Sequence, residues 1–213
     1  MLKKIELPKY KLSEELINAI SHGIGVLLSI FFLVMGIIKA KGALEIVSIA
    51  IYGASSILLY LMSTLYHSFK PNNAKRVFRI FDHCSIFLLI AGTYTPVILL
   101  KVPYPLNWIV FTLIWVISIV GIVLNTIDLK KFSKLSMVLY LFLGWFAIFV
   151  FKYLWKNINH IGILLLLVGG ILYTIGVILY NAGKKKNYMH SIFHIFCLLA
   201  SISFFIAIYY YVL

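Results

Sequence analysis

Long apolar runs alternate with short basic segments along the chain. A helix that crosses the hydrocarbon core needs about 20 mostly apolar residues. Seven runs qualify or nearly qualify: 16–38, 43–66, 80–100, 106–125, 135–151, 160–180 and 189–212. Their interiors are Leu, Ile, Val and Phe throughout, without the two-residue alternation of a membrane β-barrel. The pattern predicts an all-α integral membrane protein, a seven-transmembrane helix bundle. The runs use nearly the whole chain, so 1–213 reads as one membrane domain with no room for a soluble module. Breaks fall where turn chemistry is strong: Lys70-Pro71-Asn72-Asn73, Pro103 and Pro105, and Asn181-Ala182-Gly183. Pro96 lies inside the third run and is expected to kink it, because it removes a backbone donor. Tyr209, Tyr210 and Tyr211 suit an aromatic belt at a membrane interface.

Composition supports lipid as the solvent. The chain is 63% hydrophobic and 12% charged, with a mean hydropathy of +1.04; soluble domains carry about a quarter charged residues. The net charge is +13, from 19 Lys and Arg against 6 Asp and Glu. No Arg-rich stripe with interleaved aromatics accompanies it, which argues against nucleic acid as partner. The first run follows a Lys-rich start, as in a signal peptide. It is long enough to span, however, and no small-x-small cleavage site follows, so it reads as a retained helix. Cys84 and Cys197 lie inside apolar runs and form no disulfide framework.

The basic residues also set the orientation. Counting the N-terminal tail and every second loop, one side holds 14 Lys and Arg: Lys3, Lys4, Lys9, Lys11, Lys70, Lys75, Arg76, Arg79, Lys130, Lys131, Lys134, Lys184, Lys185 and Lys186. The other side holds 5: Lys39, Lys41, Lys101, Lys152 and Lys156. The N-terminus is therefore expected in the cytoplasm and the C-terminus outside, in a plasma membrane.

Ionisable residues inside spans are costly and mark function by default. Here they collect at one depth. Ser63-x-x-x-His67 ends the second run, Asp82 and His83 begin the third, and His190-x-x-x-His194 begins the seventh. Residues four apart share a helix face, so His190 and His194 can face one ion. His67 lies three residues before Lys70 and Asp82 three after Arg79, about 5 Å inside the charged boundary at 1.5 Å per residue. Three imidazoles at one level suit tetrahedral Zn²⁺ with one position open. Asp82 is placed to bond a metal water or a ligand imidazole. Glu15, Asn18 and His22 form a stripe on the first run and are candidates to support the site from outside the ligand set. Glu14 and Glu15 could equally serve a helix start capped by Ser13. Cys84 and Cys197 are weak candidates for soft ligands. His83 is expected to face away from Asp82, and His160 sits at the opposite membrane face.

The ordered set of motifs resembles the hemolysin III branch of the progestin and adipoQ receptor family, which is related to adiponectin receptors and alkaline ceramidases. The matching stretches are Glu15-x-x-Asn18-x-x-x-His22-Gly23, Ser63-x-x-x-His67, Arg79-Ile80-Phe81-Asp82-His83 through Ala91-Gly92-Thr93-Tyr94-Thr95-Pro96, and His190-x-x-x-His194. The resemblance implies seven helices with a cytoplasmic N-terminus. It also implies zinc held by His67, His190 and His194, with Ser63 and Asp82 beside the metal water.

Three functions are open at this stage. The first is a zinc-dependent hydrolase of a lipid amide or ester, acting in membrane lipid homeostasis, with Asp82 as general base and Ser63 as oxyanion donor. The second is a receptor-like regulator in which zinc clamps helices together. The third is a channel-forming cytolysin, disfavoured because the outer halves of the runs lack a polar stripe. Accessibility labelling tests the orientation: a cysteine replacing Lys185 should react with an impermeant maleimide only from the cytoplasmic side, and reaction from outside would reverse the topology.

Overall fold

The computed structural model describes residues 5–183 and 186–213. Lys3, Lys4, Lys184 and Lys185, four of the cations used for orientation, lie outside the described residues. Among the described residues, seven helices are long and apolar enough to cross a membrane: α1 (Leu12–Lys39), α2 (Ala43–Ser68), α3 (Asn73–Lys101), α4 (Leu106–Ile127), α5 (Ser133–Asn157), α6 (His160–Ala182) and α7 (Met189–Val212). No strand occurs among the described residues.

The packing follows from which faces are small or polar. α1 buries Glu14, Asn18, His22, Gly25, Ser29, Phe32 and Gly36. Steps of three and four residues put these on one stripe, while Leu16, Ile20, Leu27 and Phe31 face outward, as lipid permits. This stripe lies against α2 on one side and α7 on the other. α3 packs on α2 and α4, and α6 packs on α7. The best-buried helices are α2, α3 and α7. Small residues set the closest approach: a Cβ on Gly92 of α3 would overlap the Ser55 side chain of α2, and one on Gly25 would overlap the Tyr60 ring.

Several polar groups inside the bundle are tied to one another, since lipid offers no substitute partner. The Tyr60 hydroxyl donates to Ser201 Oγ at 2.6 Å, and Tyr173 meets the same oxygen at 2.7 Å, joining α2, α7 and α6. α3 continues as helix through Pro96 to Lys101.

α5 is the irregular span. Its α-helix stops at Gly144, a 3-10 stretch covers Phe146–Val150, and helix resumes at Phe151. Tyr94 of α3 supplies what this break leaves open: its hydroxyl donates to the Gly144 carbonyl at 3.1 Å and accepts from the Ala147 N–H at 2.9 Å. Trp145 Nε1 donates to Thr174 Oγ1 of α6 at 3.1 Å, bridging the two spans. The break borders an apolar cavity of ≈ 270 Å³ that reaches from Gly144 and Trp145 to the histidines at the other end. Non-helical backbone at membrane depth is tolerated where it lines such a cavity.

Candidate metal centre

Two helices deliver three histidines to the bundle end that holds the N-terminus. His67 lies next to the last residue of α2, and His190 and His194 lie in the first two turns of α7. All three are buried. One nitrogen from each lies within 4.8 Å of the others, a grouping that could hold a metal ion. His190 Nε2 and His194 Nε2 stand 3.1 Å apart. Tetrahedral Zn–N bonds of about 2.05 Å would set nitrogens about 3.3 Å apart, so the pair already spans one edge of such a site.

The third imidazole is oriented from behind. Glu15 Oε2 of α1 meets His67 Nδ1 at 2.6 Å, and Asn18 Nδ2 lies 3.4 Å from the same nitrogen. A carboxylate there draws the ring proton to Nδ1 and leaves the lone pair on Nε2. His67 Nε2 is buried and has no hydrogen-bond partner. An orphaned imidazole nitrogen beside two further imidazoles fits a divalent cation by donor type and by geometry.

Glu15 is itself held. Lys75 Nζ lies 2.6 Å from Glu15 Oε1 and donates to the Phe69 carbonyl at 3.0 Å. It also sits 5.1 Å from the Tyr66 ring centre. Lys75 is only 2% exposed, so this member of the orientation count is a buried ion-pair partner and not a surface cation. A sequence signal exists: Asn72 caps α3 by accepting from the Lys75 N–H at 2.8 Å, which puts the lysine in a first helical turn. A cation there opposes the helix dipole, so another interaction must hold it.

Asp82 and Ser63 line the cavity beside the histidines, and neither belongs to the ligand cluster. Asp82 Oδ2 lies 3.7 Å from His83 Nδ1. The buried Ser63 hydroxyl makes no hydrogen bond within the protein. His22 lines the cavity too, its ring centre 3.9 Å from that of His194, and neither of its nitrogens has a partner. His83 does not face away: it shares the cavity wall with Asp82 and approaches the Tyr180 hydroxyl at 3.5 Å. Ser13 is not the cap of α1, which starts one residue earlier; its hydroxyl meets that of Tyr188 at 3.0 Å. Glu14 accepts from the Tyr188 N–H at 2.6 Å and so joins α1 to the start of α7. Cys84 contacts α4, Cys197 lines the cavity one turn after His194 without joining the ligand cluster, and His160 stacks on Trp155.

Sequence reasoning also passed over Tyr10. Its ring stacks on His190, with centres 4.8 Å apart and planes 12° from parallel. Burial pushes its phenol pKa up, helped by Tyr66 and Tyr180, so it stays neutral over the imidazole. The segment before α1 therefore roofs the site.

The haemolysin-III related family profile matches residues 10–205. The chain belongs to this family. Hemolysin-3 of Bacillus cereus is 40% identical over all of this chain and 98% of its own length. A hemolysin-3 homolog of Bacillus subtilis is 42% identical over 95% of this chain and 96% of its own. More distantly, the human monocyte to macrophage differentiation factor is 26% identical over 76% of this chain and 68% of its own. No solved structure matches. The hemolysin III resemblance carried by the ordered motifs is thus membership, and the haemolysin-III match spans every helix from α1 into α7.

The His67–Glu15–Lys75 chain makes a stability prediction. Removing one partner of a buried pair leaves the other charge uncompensated, at about 3–5 kcal/mol. Lys75→Met should lower unfolding stability in detergent by an amount approaching that range. Adding Glu15→Gln should recover part of it, because the two sites couple. Strict additivity would mean that the two residues do not act as a pair.

Proposed function

We propose that this hemolysin III-type membrane protein is a Zn²⁺-dependent hydrolase of a lipid amide or ester, serving membrane lipid homeostasis. One observation carries the reading: a three-histidine cluster stands beside Asp82 and Ser63 at the head of an apolar cavity. The cavity walls are Leu59, Ile86, Leu89, Val97, Leu166 and their neighbours, which accept acyl chains. Lipid carbonyls lie near the hydrocarbon boundary, the depth that helix rise assigns to the histidines. A substrate could therefore present its carbonyl without leaving the membrane. The positive-inside count supports a cytoplasmic position for this end.

His67, His190 and His194 would hold the ion, with Glu15 fixing the His67 ring. When bound, Zn²⁺ supplies Lewis acidity that polarises a carbonyl and lowers the pKa of water toward about 7. Asp82 takes a proton from the attacking water as it bonds to the carbonyl carbon. Ser63 donates to the developing oxyanion. Breaking the C–N or C–O bond then transfers the proton from Asp82 to the departing amine or alcohol. The roof formed by Tyr10 limits bulk water over the reacting atoms.

A second reading has its own support. α2 and α7 are linked through α1 more than through direct packing, so an ion held by His67, His190 and His194 would clamp them as structural zinc in a receptor-like regulator. Two measurements separate the readings. Alanine at His67, His190 or His194 should strip zinc from the purified protein under either. Asp82→Asn should keep zinc but lower hydrolysis across a panel of acyl amides and esters by about 10²–10⁴-fold. Full zinc and no turnover by the parent protein on any panel member would favour the clamp.

A further inference from the structure

Among the described residues, one guanidinium lines the cavity and has no part in the proposed hydrolysis. Arg79 lies on α3 one turn before Asp82 and lines the cavity together with Tyr10, Tyr66, Tyr180, His83 and His190. Its Nε is buried and has no hydrogen-bond partner. Among the described residues it makes no ion pair, although Asp82, three positions on, is within the range at which helix neighbours pair. Of the other carboxylates nearby, Glu15 is already occupied by Lys75 and His67, and Glu6 is paired with Lys130. Its neighbour Arg76 differs: it donates to the Ile5 carbonyl and to Asn73 Oδ1. A partly buried guanidinium without an anion is unfavourable, since burial weakens its hydration and nothing replaces it.

Depth indicates which anion. At 1.5 Å per residue, Arg79 sits about 4.5 Å nearer the membrane surface than Asp82. In a glycerophospholipid the phosphate lies outward of the ester carbonyls by a distance of about one helical turn. A lipid whose carbonyl reaches Asp82 would bring its phosphate to Arg79. Guanidinium binds phosphate through two parallel N–H···O bonds, and Tyr10 and Tyr66 line the same cavity.

We propose that Arg79 is the binding residue for the phosphate of a lipid headgroup, so that the cavity takes acidic, phosphate-bearing lipids in preference to neutral ones. The proposal rests on the lipid reading of this cavity and narrows its substrate class. Equilibrium binding to the full chain in detergent, stripped of metal, tests it apart from turnover. The probes are short-chain phosphatidate, the chain-matched diacylglycerol and inorganic phosphate. Phosphatidate should bind at least about tenfold more tightly than diacylglycerol. Arg79→Gln should bring the two within about threefold, and Arg79→Lys should keep part of the preference as a point charge without the fork. Lys130→Gln, at an exposed residue paired with Glu6, should leave the preference unchanged. Equal binding of the two lipids by the parent protein, or an intact preference in a folded Arg79→Gln chain, would overturn the proposal; should that variant not fold, an intact preference in Arg79→Lys together with its loss in Lys130→Gln would do so. Inorganic phosphate binding as tightly as phosphatidate would overturn the lipid source. A protein that shows the preference but hydrolyses nothing would defeat the hydrolase reading and leave this one standing.

Discussion

An imidazole nitrogen buried among apolar helices has no water to turn to, so it must find a protein partner or a ligand. Much of the polar architecture at the N-terminal end of this bundle follows from that constraint. His67 satisfies one nitrogen through Glu15, and Glu15 is in turn neutralised by a lysine that is itself buried. The opposite nitrogen of His67 is left open. His190 and His194 point their Nε2 atoms at each other across 3.1 Å. Two such nitrogens can share one proton between them or accept one cation together. The third open nitrogen close by favours the cation.

The rest of the fold serves to hold this arrangement and to set it against an apolar chamber. α1 contributes a polar stripe that reaches both α2 and α7, so the helices carrying the ligands are positioned through a common neighbour. Tyr60, Ser201 and Tyr173 repeat the linkage deeper in the bundle. On the other side of the cavity α5 gives up regular helix, and Tyr94 compensates its exposed backbone groups. The result is a rigid polar head joined to an apolar chamber, a combination suited to an amphipathic molecule.

Much of this was legible in the residues. Seven helices follow from run length, and the His67, His190 and His194 grouping follows from depth and the four-residue spacing within α7. What stayed hidden depended on long-range contact. Lys75 looked like any loop lysine, since only the fold reveals that it sits 60 positions from its partner Glu15 in a buried pair. Tyr10 lies in a short polar stretch before α1, and nothing in its neighbours announces that its ring will cover His190. Helix phase alone turned His83 away from Asp82, whereas the cavity is wide enough for adjacent residues of α3 to share its wall.

X-ray absorption at the zinc edge of the purified protein probes the centre most directly. Three imidazole nitrogens at about 2.0 Å and one oxygen scatterer are expected, with one imidazole lost from the spectrum of His67→Ala. A first shell containing sulfur, or one that His67→Ala leaves unchanged, would contradict a metal held between α2 and α7.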